Sequence, residues 1–172
     1  MQQALKQRIR HVPDFPKPGI LFYDVTTLLK DRDGFRMAVD AMAAPHAPDK
    51  IDVVVGIESR GFIFGSAIAD RLKCGFAPVR KLGKLPSKTK RASYALEYGS
   101  DSLEIHEDAC QAGQRVLVVD DLLATGGTAA ATVSLVRGLG ADVVGVQFLI
   151  ELLALNGRDK LKGEHVGAVL AY

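Results

Sequence analysis

The sequence contains no tryptophan and only two cysteines, and no apolar run approaches the length of a membrane span. Cys74 and Cys110 stand alone, without the Cys-x-x-Cys spacing of metal or redox motifs. We therefore expect two free thiols in a reducing compartment. The N-terminal stretch MQQALKQRIRHV is charged and lacks the apolar core of a signal peptide. These absences predict a cytoplasmic protein that does not enter a membrane.

The sequence also lacks a large excess of charge of either sign. The 22 basic and 20 acidic residues give a net charge of +2 with histidine neutral, which is too small to predict a nucleic acid as the main partner. The four histidines do not have the spacing of metal ligands. With 172 residues, 48% of them hydrophobic, the chain is expected to form one domain, residues 1–172, around a sizeable core.

Apolar strands alternate with amphipathic helices along most of the chain. This alternation predicts an α/β fold, with a mostly parallel, twisted sheet and helices on both faces. In such sheets ligands bind beyond the carboxyl ends of the strands. Strands are predicted at residues 51–57, 75–79, 116–119, 142–150 and 166–170, and helices at residues 2–10, 33–44, 61–72 and 129–139.

Two segments lack this regularity. Three prolines between residues 13 and 18 forbid a helix and predict an extended arm, which ends in the apolar residues 20–23. Taken alone, this arm is typical of a segment that packs over one edge of the core. Residues 83–95 are basic and without a period, which predicts a mobile loop. The alternating residues 93–98 at its far side favour a strand.

The segment from Arg115 to Ala130, RVLVVDDLLATGGTAA, combines several features of a phosphate site. A buried strand is followed by the carboxylates of Asp120 and Asp121, and a small-residue loop then runs into a helix. Free backbone N–H groups and the positive helix end attract an anion there, and glycine lets the backbone close around it. The two aspartates suit sugar hydroxyls or a metal-bound species beside the phosphate. The loop residues are Ala124, Thr125, Gly126, Gly127 and Thr128.

The run VLVVDDLLATGGT at 116–128 resembles the 5-phosphoribosyl-1-pyrophosphate (PRPP) signature of type I phosphoribosyltransferases. Four further segments, in order, resemble the adenine phosphoribosyltransferases: FPKPGILFYD (15–24), ESRGFIFG (58–65), RKLGKLP (80–86) and ASYALEYG (92–99). The resemblance implies the type I phosphoribosyltransferase fold, with a small N-terminal hood over residues 1–33 and a mobile loop at 83–95. It also implies a cytoplasmic homodimer that uses Mg²⁺ to join adenine to PRPP, giving AMP and pyrophosphate.

The resemblance also implies roles for individual residues. The loop 124–128 would hold the ribose 5-phosphate, with Asp120 and Asp121 beside the ribose hydroxyls. Phe22 would stack on adenine, while the backbone of Leu21 and Tyr23 contacts the edge of the base. Glu97, Arg60 and Lys84 would be the catalytic residues. The residues expected to face pyrophosphate are Ser59, Arg60, Arg80, Lys81, Lys84 and Tyr98.

Three details of the resemblance are open. Glu97 would either act as a general acid toward adenine, which requires a raised pKa, or only hydrogen-bond the base. Tyr23 stands where the family commonly has arginine or another polar residue, so a side-chain role there would differ. The family often has a cis peptide bond at the position of Glu58 and Ser59.

Other functions fit the sequence less well. A PRPP-sensing regulator on the same fold would carry a DNA-binding segment or basic face, which this near-neutral chain lacks. A receiver-type signalling module, suggested by VLVVDD, would have its acidic pair near the start of the chain rather than at 120–121. Within the transferase hypothesis, the remaining alternative is another purine base: guanine, hypoxanthine or xanthine.

Overall fold

The computed structural model describes residues 1–95 and 100–172. Its strands are β1 (Arg10–Pro13), β2 (Leu21–Asp24), β3 (Val53–Ile57), β4 (Gly75–Lys81), β5 (Thr89–Ala95), β6 (Ser100–His106), β7 (Arg115–Leu123), β8 (Asp142–Glu151) and β9 (Val166–Ala171). Its α-helices are α1 (Gln2–Lys6), α2 (Thr26–Leu29), α3 (Arg32–Ala43), α4 (Arg60–Leu72) and α5 (Gly127–Gly138). Short 3₁₀ turns lie at Ala44–His46, Leu153–Leu155 and Gly157–Leu161.

Seven strands form one sheet in the order β5-β6-β4-β3-β7-β8-β9. The five strands from β4 to β9 in this order run parallel, whereas β6 joins β4 in antiparallel register and pairs with β5 as a hairpin. Parallel neighbours bring the carboxyl ends of β3, β4 and β7 to one rim. The α/β fold with a mostly parallel sheet, predicted from the sequence, is confirmed.

Strand β7 lies between two apolar cores. Val116 and Val118 belong to one core, whereas Leu117 and Val119 belong to the other, because successive strand side chains point to opposite faces. All four side chains are fully buried. Helix α5 covers the first face, and helices α3 and α4 cover the second. The continuous apolar run therefore marks a strand covered on both sides, as predicted.

The N-terminal segment forms a separate two-stranded sheet. Strand β1 pairs with β2 in antiparallel register, from Arg10 opposite Asp24 to Pro13 opposite Leu21. The predicted helix over residues 2–10 is therefore wrong beyond Lys6, since Arg10 takes part in this pairing. Leu5 and Ile9, whose spacing suggested the longer helix, are nevertheless both buried in the core beneath the hairpin.

Three predicted boundaries need correction. The loop predicted for residues 83–95 ends at Lys88, because Thr89–Ala95 pairs along its whole length with Ser100–His106. Strand β4 continues to Lys81, two residues beyond the predicted end. Strand β7 continues to Leu123, so the aspartate pair lies within the strand rather than after it. No helix in the described ranges is long and apolar enough to cross a membrane.

Candidate active site

A cleft of 330 Å³ opens at the carboxyl rim of the sheet. The turn after β3, the end of β4, the β5–β6 hairpin and the end of β7 all contribute to its wall. Several residues that are far apart in sequence thus meet at one place, as the strand order requires. The lining residues are Glu58, Ser59, Arg60, Lys81, Tyr94, Asp101, Leu103, Asp120, Asp121, Leu122 and Thr128.

The small-residue loop encloses an adjoining cavity of 70 Å³. Residues Ala124 to Thr128 and the first turn of α5 line it. Gly126, the residue before α5, has φ of +78°, a conformation that glycine adopts without steric cost. Helix α5 therefore directs its free N–H groups toward a space suited to one phosphate group.

The two aspartates of β7 have different surroundings. Asp121 is buried and accepts a hydrogen bond from Arg60 Nε. Asp120 accepts a hydrogen bond from the Asp121 N–H at 2.9 Å. Burial, and then the neighbouring Asp121 charge, raise the pKa of Asp120 well above its ordinary value. The pair therefore consists of one carboxylate fixed by Arg60 and one carboxyl group whose ionisation is opposed by burial and by the charge of Asp121.

Arg60 reaches the aspartates because α4 approaches β7 very closely. An added Cβ at Gly61 would lie 2.8 Å from Asp120 Oδ1 and 2.9 Å from the Val119 carbonyl oxygen. Although burial opposes it, the negative charge of Asp121 raises the pKa of Arg60 above its ordinary value. The peptide bond between Glu58 and Ser59 is cis, as the resemblance implied. Ser59 immediately precedes α4 and is among the residues that line the cleft.

Arg80 is held by a carboxylate that the sequence analysis assigned no role. Its Nη2 and Nε donate to the two carboxylate oxygens of Glu58 at 3.0 and 3.2 Å. Its Nη1 donates to the carbonyl oxygen of Lys84 at 3.2 Å. Hydrogen bonds from Arg80 lower the pKa of Glu58, so this carboxylate stays ionised. Neither Arg80 nor Lys84 is among the residues that line the cleft, although both are adjacent to it through Glu58.

Lys81 does line the cleft, together with two residues that the sequence analysis missed. Lys81 Nζ lies 3.3 Å from Asp101 Oδ2, and the Tyr94 hydroxyl donates to the same oxygen at 3.4 Å. A backbone hydrogen bond from Ser102, with the Lys81 contacts, lowers the pKa of Asp101. Tyr94 lies in the quoted ASYALEYG segment, but nothing in the local pattern distinguishes Asp101.

The proline-rich arm reaches the same rim. The Arg60 guanidinium carbon lies 5.6 Å from the centre of the Phe22 ring, which also packs edge-on against Phe15. Tyr23 points the other way and packs on Tyr172, with ring centres 4.2 Å apart. Leu21 is exposed beside Phe22 in β2. The structure thus brings Phe22 next to Arg60 at the rim and directs the Tyr23 side chain toward Tyr172 instead.

Glu97 and Tyr98, two of the predicted site residues, lie outside the described residues, so their predicted roles stay predictions. The described residues contain no group of three or more His, Cys, Asp or Glu side chains that could hold a metal ion. Asp120 and Asp121 are the adjacent carboxylates of the cleft, and two carboxylates are a donor set that suits Mg²⁺ when substrate oxygens and waters complete its coordination.

The chain matches the model of the phosphoribosyl transferase domain over residues 26–165. It is 59% identical over 170 residues to the adenine phosphoribosyltransferase of Acidobacterium capsulatum, covering 99% of this chain and 94% of that protein. It is likewise 59% identical over 167 residues to the adenine phosphoribosyltransferase of Symbiobacterium thermophilum, covering 97% and 98%. These matches span nearly the whole of each protein.

Solved structures give the same result. The adenine phosphoribosyltransferase of Thermoanaerobacter pseudethanolicus superimposes with a TM-score of 0.97 at 48% identity and full coverage of both chains. The enzyme of Saccharomyces cerevisiae, solved with adenine and an imino-altritol bisphosphate, superimposes with a TM-score of 0.93 at 43% identity, covering 98% and 97%. The chain therefore belongs to the phosphoribosyltransferase family and groups within it with the adenine phosphoribosyltransferases.

Proposed function

We propose that the protein transfers the 5-phosphoribosyl group of PRPP to adenine, giving AMP and pyrophosphate, a reaction of purine salvage. The contact of Arg60 with both Phe22 and Asp121 carries this proposal. A single side chain thereby joins the arm, which would hold a base, to the aspartates, which would hold a ribose. We assign the 70 Å³ cavity beyond the aspartates to the 5-phosphate of the same ligand, because the start of helix α5 lines it.

Positioning would supply much of the catalysis. The reaction breaks the bond between the anomeric carbon and pyrophosphate, and the transition state would resemble an oxocarbenium ion with a departing polyanion. Holding the ribose at both its phosphate and its hydroxyls aligns that carbon with the incoming base. The hydroxyls of Thr125 and Thr128 and the N–H groups of the loop would bind the phosphate. Asp120 and Asp121 would accept hydrogen bonds from the ribose.

Positive charge would stabilise the leaving group. We assign Arg60, Lys81 and Lys84 to the developing charge on pyrophosphate, with Ser59 and Tyr98 as hydrogen-bond donors. Arg80, whose guanidinium is bound to Glu58, would act by holding this region in place as well as by its charge. Closure of the segment 83–88, the part of the predicted loop that does not belong to a strand, would exclude water and limit hydrolysis of PRPP.

We propose Mg²⁺ as the cofactor, held mainly by PRPP and water, and Asp120 and Asp121 are the carboxylates that could complete its coordination. When bound, the ion would neutralise part of the pyrophosphate charge. Adenine would stack on Phe22, with its edge against the backbone of Leu21 and Tyr23. Glu97 would contact the base, either donating a proton or only a hydrogen bond.

We also propose a homodimer and a cytoplasmic location. Cys74 and Cys110 are both free thiols, which fits a reducing compartment. Burial raises the pKa of Cys110 to about 11, so this thiol would be unreactive at neutral pH.

The test is a panel of bases with the purified chain. PRPP and Mg²⁺ are supplied with adenine, guanine, hypoxanthine or xanthine, and the nucleotide and pyrophosphate are measured. We expect AMP from adenine, and Arg60→Ala should lower kcat/KM roughly a hundredfold. Arg71→Ala is the matched control, since Arg71 lies on the same helix but pairs with Asp40 outside the cleft. No pyrophosphate from any base would refute a transferase, and turnover of hypoxanthine but not adenine would refute the assigned base.

A further inference from the structure

A buried carboxylate fastens the segment that carries Lys84. Glu104 lies in the middle of β6, and only 2% of its side-chain surface is exposed. We propose that Glu104 is a positioning residue, which fixes the backbone of Lys84 so that the ammonium group faces the pyrophosphate moiety of PRPP. This inference rests on the proposed function, because it assigns a task to a residue behind the pyrophosphate side of that site.

The two oxygens of Glu104 bind different parts of the chain. Oε1 accepts hydrogen bonds from the N–H groups of Lys84 and Leu85, at 3.2 and 3.3 Å. Oε2 accepts one from the Thr89 hydroxyl at 3.1 Å and lies 3.6 Å from Arg91 Nε. One side chain of β6 therefore fixes both the start of the segment 83–88 and the strand β5 at which that segment ends.

Lys84 is held from its other side as well. Its carbonyl oxygen accepts a hydrogen bond from Arg80, which is itself bound to Glu58. Both backbone polar atoms of Lys84 are thus fixed, one by Glu104 and one by Arg80. The ammonium group, in contrast, makes no ion pair within residues 1–95 and 100–172. Its positive charge contributes to the lowered pKa of Glu58, which lines the cleft, so the group lies within electrostatic reach of the site.

An ionised carboxylate is an expensive group to bury, and apolar packing alone would not require one. Burial opposes ionisation of Glu104, but hydrogen bonds from Leu85, Thr89 and Lys84 lower its pKa. The carboxylate therefore fixes one backbone conformation of the segment 83–88, which otherwise lacks regular structure. Without it, ordering of that segment would have to occur at each binding of PRPP, and the binding affinity would fall.

Three variants separate positioning from simple packing. Glu104→Leu keeps the buried volume but removes both acceptors, and we expect KM for PRPP to rise about tenfold while KM for adenine stays within twofold. Glu104→Gln keeps an oxygen toward Lys84 and Leu85 and can donate to the Thr89 hydroxyl, so it should restore KM for PRPP to within about threefold of the wild type. Glu107→Leu is the control, since Glu107 is an exposed glutamate at the end of the same hairpin.

A double-mutant cycle with Lys84→Ala identifies the residue through which Glu104 acts. If the proposal holds, Glu104→Leu adds less than twofold to KM for PRPP once Lys84 is absent. An equal effect in both backgrounds would overturn it. So would a fall in Tm and kcat of Glu104→Leu with KM for PRPP unchanged, because that result indicates loss of folded protein.

A milder variant covers the case in which Glu104→Leu does not fold. Thr89→Val removes one donor to Glu104 with little change of shape, and it should raise KM for PRPP two- to threefold without affecting KM for adenine. An unchanged KM for PRPP would count against the proposal. Failure of the proposed function is distinguishable from all these outcomes, because the wild type would then form no nucleotide from any base.

Discussion

Three of the four cations assigned to the proposed pyrophosphate side of the cleft have a carboxylate partner, whereas Lys84 makes no ion pair within the described residues. The pairs are Arg60 with Asp121, Arg80 with Glu58, and Lys81 with Asp101. These partners offset the repulsion among neighbouring positive charges before an anion binds. The pair formed by Lys81 is the most exposed of the three, so water screens it most strongly. Lys81 should therefore be the cation that exchanges its partner for pyrophosphate most readily.

The raised pKa of Asp120 leads to a prediction about stability and affinity together. In the folded protein Asp120 holds its proton at a higher pH than in the unfolded chain, so stability falls as pH rises through its pKa. Asp120→Asn removes this unfavourable ionisation and should raise Tm at pH 7. It also removes a charged acceptor for the ribose, and KM for PRPP should rise about tenfold.

The pH profile distinguishes this explanation from a general loss of structure. In the wild type, KM for PRPP should increase as pH falls below the Asp120 pKa, whereas in Asp120→Asn this rise should be smaller. Asp108→Asn, at an exposed turn, is the matched control and should leave both profiles as they are. A lower Tm for Asp120→Asn at pH 7, or an unchanged acid limb, would contradict the assignment.

At the scale of elements, the proposed phosphate loop at residues 124–128 depends on close packing between two backbones. An added Cβ at Gly126 would lie 2.2 Å from the carbonyl oxygen of Gly157, in the 3₁₀ turn beside the loop. We expect Gly126→Ala to lower the free energy of unfolding by roughly 3 kcal/mol, because both the positive φ and the backbone contact oppose a side chain. KM for PRPP should rise as the loop moves. Chemical denaturation and steady-state kinetics measure the two effects.

Gly138 provides the control for that substitution. It ends the same helix, and an added Cβ there would meet no atom within 4 Å. Gly138→Ala should therefore be neutral or stabilising by up to about 1 kcal/mol. Equal stability of the two variants would show that the geometry of the loop does not require glycine at 126.

The local sequence pattern predicted those elements that are fully buried or whose structural neighbours are close in sequence. The apolar run at 116–119 gave a central strand, since burial on both faces leaves no polar position. Strand β1 was missed because its partner, β2, lies beyond a turn that contains Pro16 and Pro18. Strand β5 was missed over residues 89–92 because the hairpin pairing, rather than an apolar period, makes it a strand.

The residues of the candidate site were predicted where they belong to a local motif and missed where only strand pairing brings them together. The loop at 124–128 and the turn at 59–60 were predicted because each is a local motif at the end of a strand. The contact between Glu58 and Arg80 joins residues 22 positions apart, and only the pairing of β3 with β4 brings them together. Asp101 has no motif of its own, and its role at Lys81 depends on the antiparallel pairing of β4 with β6.

At the scale of the whole molecule, helix α4 and strand β4 carry exposed apolar side chains near the candidate cleft. Ile63 is 41% exposed, and Phe76 at the start of β4 is 37% exposed. Phe62 connects them, with its ring 6.1 Å from that of Phe76. Leu82, just beyond β4, is 45% exposed. Exposed apolar side chains of this kind are typical of a protein interface, and we expect the face that carries Ile63, Phe76 and Leu82 to form the contact of the proposed homodimer.

Placing a charge in this face tests both whether the protein is a dimer and whether this face forms the dimer interface. Ile63→Glu should dissociate the protein into monomers at micromolar concentration, because each interface would bury two unpaired carboxylates related by the twofold axis. Leu155→Glu, an exposed leucine in a 3₁₀ turn distant in sequence, is the matched control and should stay dimeric. Sedimentation equilibrium measures the mass in each case. A monomeric wild type would refute the homodimer, and dissociation by Leu155→Glu alone would place the interface at the turn Leu153–Leu155 rather than at α4.

Since Arg60 begins α4, dissociation of Ile63→Glu should also lower AMP formation, and a fully active monomer would show that the site is complete within one chain.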